Sequence, residues 1–242
     1  MIKYICFYPN QQEGIYPHIK LFFETYFNNN KKYLIIGPYV TLQDFQQIKS
    51  IDYDIKILVI FEPIQYVEHY KLCYNIFQNY KKYNLYLFGC VENKPEIQQF
   101  KFPLYMMERF PIYNNPTKYF LETNQYIQNT DILSKKFCCL INSWDPENHR
   151  EKIYNILTNI DSINCPGILL NNCSNNELNK IGKTKYINQF IFNICSENYD
   201  NTLKGYITEK LMDCCLGGAI PIYAGSFDEY DEQIFNKNRI IF

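Results

Sequence analysis

Three short stretches of the chain hold residue types spaced for work on a phosphate. The segment Phe190-Ile-Phe-Asn-Ile-Cys-Ser-Glu197-Asn198 is apolar and β-branched until it ends in polar residues. A polar loop follows, and then Tyr206-Ile-Thr208-Glu209-Lys210-Leu211 opens a helical period whose inner face is Leu211, Cys214 and Cys215. Thr208 is placed to be an N-cap, Glu209 and Lys210 fall in the first turn, and Gly217-Gly218 stops the helix before a strand over Ala219 to Tyr223. The unit reads as strand, loop, helix, strand. A helix N-terminus presents unpaired N–H groups and partial positive charge, which favours a pyrophosphate, and Lys210 adds a full charge there. From residues alone this is an anion or nucleotide site on an α/β sheet, with an ordinary solvated first turn as the alternative for Glu209 and Lys210.

The elements that must position such a site alternate along the chain. Strands are expected over Ile2 to Phe7, Tyr33 to Ile36, Ile55 to Phe61, Asn84 to Cys90 and Phe137 to Ile141, with helices around Ile19 to Phe27, Gln43 to Ile48, Tyr66 to Tyr80 and Asn148 to Ile160. Ile55-Lys-Ile-Leu-Val-Ile-Phe61 is continuously apolar, as a buried parallel strand should be. The polar, Pro- and Asn-containing stretch from Pro111 to Asp131 is the expected domain boundary, giving an N-terminal α/β domain over 1–130 and a C-terminal α/β domain over 131–242.

Composition narrows the partners. The 242 residues carry a formal net charge of −1, so no general basic field exists to grip nucleic acid. Most of the 23 tyrosines and 18 phenylalanines are expected in the core or at its rim. The ten cysteines are scattered and form no C-x-x-C pair, which points to buried free thiols rather than a disulfide framework or zinc knuckle. The N-terminal Met1-Ile-Lys-Tyr-Ile-Cys-Phe-Tyr-Pro is too short and polar for a signal sequence, and no later run approaches a membrane span. The expectation is a soluble, cytoplasmic protein.

The spelling of the motifs goes further than their spacing. Glu197-Asn198, Tyr206-x-Thr208-Glu209-Lys210 and Ala219-x-Pro221-Ile-Tyr-x-Gly225, in this order, closely resemble the donor-binding signature of the α-1,3-fucosyltransferases, glycosyltransferase family 10, which use GDP-fucose. The resemblance implies a GT-B-like α/β fold, two Rossmann-like domains with parallel sheets facing a cleft. It implies that Arg150, after Lys135-Lys-Phe-Cys-Cys-Leu-Ile-Asn142-Ser143 and Asn148-His149, contacts the donor phosphates with Lys210. It further implies that Glu209 holds the ribose hydroxyls while Asn198 and Tyr206 shape the pocket. In the first half, Ile60-Phe61-Glu62-Pro63 resembles the place where the family carries its candidate general base in a Gly-Glu-Asn context, although Phe and Pro stand here instead of Gly and Asn. Leu87-Phe88-Gly89 and Phe102-Pro-Leu-Tyr105 fall at the family's spacing.

The activity so implied is inverting transfer of L-fucose from GDP-fucose to a hydroxyl of a glycan or glycoprotein, with Glu62, Arg150 and Lys210 in the chemistry. A glutamate ending a buried strand beside Phe61 has the setting of a general base with a raised pKa. No cofactor or metal is expected. Asp52-Tyr-Asp54 precedes its strand instead of following it and reads as a solvated turn, and Asp228-Glu-Tyr-Asp231-Glu232 as a polar helix start. The alternatives are another nucleotide-deoxysugar donor on the same fold, or a non-catalytic module that binds sugar nucleotides or glycans.

Overall fold

The alternation seen in the sequence becomes two parallel sheets in the computed structural model, which describes residues 1–7, 16–27, 30–64, 67–103, 105–106, 116–199 and 202–242. The chain divides into two compact units, Met1–Asn114 and Asn115–Phe242. In the first, strands β1 (Ile2–Ile5), β2 (Tyr33–Ile36), β3 (Ile55–Ile60), β4 (Leu85–Gly89) and β5 (Gln99–Lys101) pair in sequence order, all parallel. Between them run α1 (Tyr16–Tyr26), α2 (Leu42–Ile48) and α3 (Glu68–Tyr80).

Register decides the two faces of this sheet. Leu34, Ile36, Leu58, Ile60, Leu85 and Leu87 point to one side and pack with Phe45 and Ile48 of α2 and Cys73, Ile76 and Phe77 of α3. The other side carries Phe88, whose ring lies 5.9 Å from Phe23 of α1, and Tyr33, which meets Phe27 at 5.2 Å. Thr41 and Asp44 form a capping box that starts α2, explaining why so short a helix holds.

The second unit opens with α4 (Pro116–Gln128), which lies within the stretch expected to be a polar boundary. Pro116 is tolerated at the first helical position because its missing N–H would have had no partner there. Near the end of α4 Ile127 packs so closely on Gly218 that a Cβ at 218 would lie 2.7 Å from it. The strands β6 (Lys136–Leu140), β7 (Ile163–Asn164), β8 (Phe190–Ile194) and β9 (Ile220–Ile222) are parallel in the order β7-β6-β8-β9. The helices are α5 (His149–Leu157), α6 (Asn176–Ile181), α7 (Lys183–Ile187), α8 (Glu209–Gly217) and α9 (Glu229–Glu232). β5, β7, α6 and α7 carry no periodic signal long enough to read from sequence.

Gly218 ends α8 in the left-handed conformation at φ 67°, as its sequence position implies. Beyond β9 the backbone returns to the sheet edge, where Ile241 N–H donates to the Pro221 carbonyl at 2.9 Å and Tyr223 N–H to the Ile241 carbonyl at 2.8 Å. The cysteines are free thiols, with Cys138, Cys139 and Cys214 buried and Cys215 exposed. Burial pushes the Cys138 thiol up to about 12, so it packs as a small apolar group and not as a nucleophile. No helix among the described residues is long and apolar enough to cross a membrane.

Candidate functional site

The strand order β7-β6-β8-β9 means that the chain leaves β6 toward one side and β8 toward the other. Such a reversal opens a crevice beyond the carboxyl ends of the two central strands, here β6 and β8. Two helices begin there, α5 soon after β6 and α8 after the β8 loop, and each starts with an uncommon choice of residue.

Arg150 is the second residue of α5 and is fully buried, at 0% exposure. A cation at a helix N-terminus opposes the helix dipole, and burying it adds a desolvation penalty. Carbonyls turned toward it offset both. Its Nε and one terminal nitrogen donate to the Ser196 carbonyl at 3.2 and 2.6 Å, that nitrogen also reaches Asn198 Oδ1 at 3.1 Å, and the other donates to the Trp144 carbonyl. Burial lowers the Arg150 pKa, opposed by the charges of Asp145 and Glu197. Asp145 also caps α5, accepting the Glu151 N–H at 2.9 Å, while Asn148 turns the chain into the helix at φ 55°. The β6 loop is thereby tied to the β8 loop through a single side chain.

At the head of α8 the sequence and structure part in detail. Thr208 occupies the N-cap position, but its hydroxyl does not cap the helix. It donates to Glu197 Oε2 at 2.7 Å and accepts from Lys210 Nζ at 2.9 Å. The Glu197 carboxylate, on a residue at 0% exposure, accepts from the Thr208 N–H at 2.7 Å, the Thr208 hydroxyl, and Lys210 Nζ at 3.0 Å. Lys210 is therefore not a lone charge on a solvated turn; its ammonium is drawn inward to a carboxylate, with 13% of the side chain exposed. Burial pushes the Lys210 pKa down, but Glu197 and Glu209 overcome this and leave it raised. For Glu209 burial pushes upward, yet Lys210 and Lys183 hold the carboxyl below its ordinary range.

The rest of the loop is pinned on all sides. His149 Nε2 lies 2.7 Å from the Glu197 carbonyl; a carbonyl only accepts, so Nε2 carries the proton. Its Nδ1 sits 3.8 Å from Glu147. The Glu197 N–H donates to the Ala224 carbonyl at 2.8 Å, and the Ser196 hydroxyl accepts from the Ala224 N–H at 3.1 Å. Gly225 follows because nothing larger fits: a Cβ there would lie 2.7 Å from the Tyr223 hydroxyl and 2.8 Å from Glu197 Cγ. Gly205, at φ 83°, donates its N–H to Ser226 Oγ at 2.9 Å. Tyr206 is almost wholly buried, its ring 5.9 Å from that of Tyr199, which in turn meets the exposed Trp144 edge-on at 6.2 Å.

Arg150, Asn198, Tyr206, Glu209 and Lys210 thus lie near one another in the second unit. Glu62 belongs to the first unit, half-buried two residues beyond the carboxyl end of β3 and between buried Phe61 and Pro63. Asp52 and Asp54 are held in a turn by Lys32, whose ammonium pairs with Asp52 at 3.0 Å and whose N–H donates to Asp54 at 2.7 Å. Sequence reasoning undervalued Glu197, whose signal was a carboxylate ending an apolar strand. It also missed a pocket of about 450 Å³ beyond β6 and β7, lined by Asn142, Ser143, Ile168, Asn171, Asn175 and Leu178 among others.

Residues 132–241, which span this whole arrangement, match the family described as glycosyltransferase family 10 (fucosyltransferase) C-term. Over that stretch the chain is similar to glycosyltransferase family 10. It is 32% identical over 97 residues to the alpha-(1,3)-fucosyltransferase FucT of Helicobacter pylori, covering 40% of this chain and 19% of that protein. To the human 4-galactosyl-N-acetylglucosaminide 3-alpha-L-fucosyltransferase 9 it is 29% identical over 118 residues, 47% of this chain and 30% of the relative. The matches thus span less than a third of either relative's length.

Likeness in fold reaches further than likeness in sequence. A crystal structure of an alpha1,3-fucosyltransferase superposes on 93% of this chain and 68% of its own with a TM-score of 0.63 at 19% identity. A second, solved with GDP-fucose, covers 80% of this chain and 68% of that one with a TM-score of 0.54 at 17% identity. The α/β fold with two parallel sheets, of GT-B type, is therefore the fold expected from the sequence.

Proposed function

We propose that this protein is an inverting glycosyltransferase of the family 10 kind that moves L-fucose from GDP-fucose to a hydroxyl of a glycan or glycoprotein. The observation that carries the reading is the meeting of Arg150, at the head of α5, with the Glu197–Lys210 pair, at the head of α8, beyond neighbouring strands β6 and β8. Two helix N-termini and two cations gathered at a switch point suit a diphosphate. In this reading the diphosphate lies across the two helix starts and Glu209 holds the ribose hydroxyls. Asn198 and Tyr206 shape the walls, and the pocket beyond β6 and β7 takes the base.

The chemistry follows from the charges that develop. The acceptor oxygen bonds to the anomeric carbon as the bond from that carbon to the β-phosphate oxygen breaks. The hydroxyl proton passes to the Glu62 carboxylate, and GDP leaves with the electron pair. Negative charge grows on the departing diphosphate, where each preorganised donor contributes on the order of 3 kcal/mol. Turnover without a metal ion is part of the proposal; loss of transfer in a chelator would overturn that part.

A thermal-shift series with GDP-fucose, GDP, GDP-mannose and UDP-sugars tests the donor, since a ligand that binds only the folded state raises apparent stability by mass action. GDP-fucose and GDP are expected to raise the melting temperature and UDP-sugars to leave it unchanged; the reverse overturns the donor assignment. The altered setting of Glu62, between Phe61 and Pro63, favours one rival, a module that binds the donor without transfer. Bound GDP-fucose that no acceptor panel ever consumes would establish that rival.

A further inference from the structure

Lys210 stands where three influences act to remove its proton. It is nearly buried, it follows the first residue of a helix whose dipole is positive at that end, and Arg150 lies near enough to repel it. A neutral amine there would be a poor ligand for a phosphate. The groups that oppose this are Glu197, bonded to the ammonium at 3.0 Å, and its neighbour Glu209, whose own charge is shared with Lys183.

We propose that Glu197 is the positioning residue of this anion site: its buried carboxylate keeps Lys210 charged and aims it, while the same two oxygens fix Thr208 at the head of α8. The inference rests on the donor reading above but concerns a residue that does not itself touch the donor. One carboxylate satisfies a backbone N–H, a hydroxyl and an ammonium at once, and the charge on each partner strengthens the bond between Lys210 and Glu197. The arrangement is built from all sides. The Glu197 backbone is held by His149, beside Glu147, and by Ala224, its Cγ is flanked by Gly225, and Arg150, with Asp145 and Tyr206 close by, fixes Ser196. Within this shell the carboxylates of Glu197 and Glu209 stand against the cations of Arg150 and Lys210.

The experiment uses the full chain and GDP as probe. Calorimetric titration from pH 7 to pH 9.5 is expected to give a flat affinity for the unaltered protein. Glu197→Gln should lose about tenfold at pH 7 and progressively more as pH rises, because an amide cannot hold the ammonium charged. Glu197→Asp, shorter but still an anion, should restore the flat profile at a weakened affinity, which a merely structural residue would not do. A folded Glu197→Gln protein with unaltered affinity and a flat profile overturns the proposal.

A second readout needs no nucleotide. The Lys210 side-chain NMR signal, assigned by its loss in Lys210→Met, should titrate above ordinary lysine in the unaltered protein and well below it in Glu197→Gln. Lys210 titrating below ordinary lysine in the unaltered protein overturns the proposal, even if both Glu197 variants fail to fold. Failure of the unaltered protein to bind GDP, with the lysine titration as expected, would sink the donor reading and leave the role of Glu197 standing.

Discussion

The two sheets of this chain are built alike and spend their interiors differently. Around β1 to β5 the buried side chains are nearly all apolar, with Lys56 and Gln99 as the buried polar residues among those described. Lys56 has a local task, closing the end of α2 through the Lys49 carbonyl at 3.1 Å. The second sheet has the smaller apolar cluster, yet it buries Arg150, Asn193, Ser196, Glu197, Thr208 and Asp213. Desolvating so many polar groups is unfavourable unless each is bonded, and most of these are bonded to one another across the ends of β6 and β8. The first unit is organised around an apolar core; the second is organised around a buried polar cluster.

The sharpest way to break this contrast is at Glu62. Glu62→Gln should lower kcat by about 10²–10⁴ while GDP affinity in calorimetry stays unchanged. Wild-type turnover would leave the first sheet without a chemical role. Arg150→Ala should damage folding and binding together, costing roughly 3 kcal/mol or more in denaturant melts, because the Ser196 and Trp144 carbonyls and Asn198 lose their donor. Full stability in that variant would contradict the polar organisation of the second unit.

Lys210→Ala should weaken GDP by about thirtyfold, the effect of roughly 2 kcal/mol for one truncated partner of a buried charge pair. Gly225→Ala should destabilise by about 1–3 kcal/mol through crowding against Tyr223 and Glu197, visible as a lower melting temperature.

The smallest effect is in pH dependence. Lys210 is raised, so its contribution is present below its ordinary value of 10.5 and fades as pH rises through the raised one. Glu209 is lowered, so its contribution is present above 4.5 and fades as pH falls through the lowered value. Denaturation midpoints should accordingly vary little between these limits and fall outside them.

The same contrast explains what was legible in the sequence. Long apolar runs such as Ile55–Ile60 and the patterned segment from Phe190 to Gly218 announce their strands and helix, because burial of one face writes a period into the residues. Two-residue β7 and the five-residue α7 are too short to leave such a period and form through tertiary pairing. At the site, the residue types were legible and their partners were not. Thr208 reads as an N-cap by local rule, but a buried carboxylate eleven positions earlier takes its hydroxyl. The solvated turn that the local pattern leaves open for Lys210 fails for the same reason: periodicity describes a helix in isolation and cannot see Glu197 beneath it. Arg150 carried no periodic signal at all, since a buried arginine follows from the carbonyls around it.

One feature at the rim of the second sheet bears on handling the protein. β9 is an outer strand, and the backbone at Ile241 lies along it like a hem, using the Pro221 carbonyl and the Tyr223 N–H. Without that hem, those groups and the half-exposed Ile220 would form an open strand edge, the kind of surface on which other chains pair. Removing residues 240–242 should therefore show first in concentrated solutions, as turbidity that grows with time, while dilute samples keep their affinity for GDP.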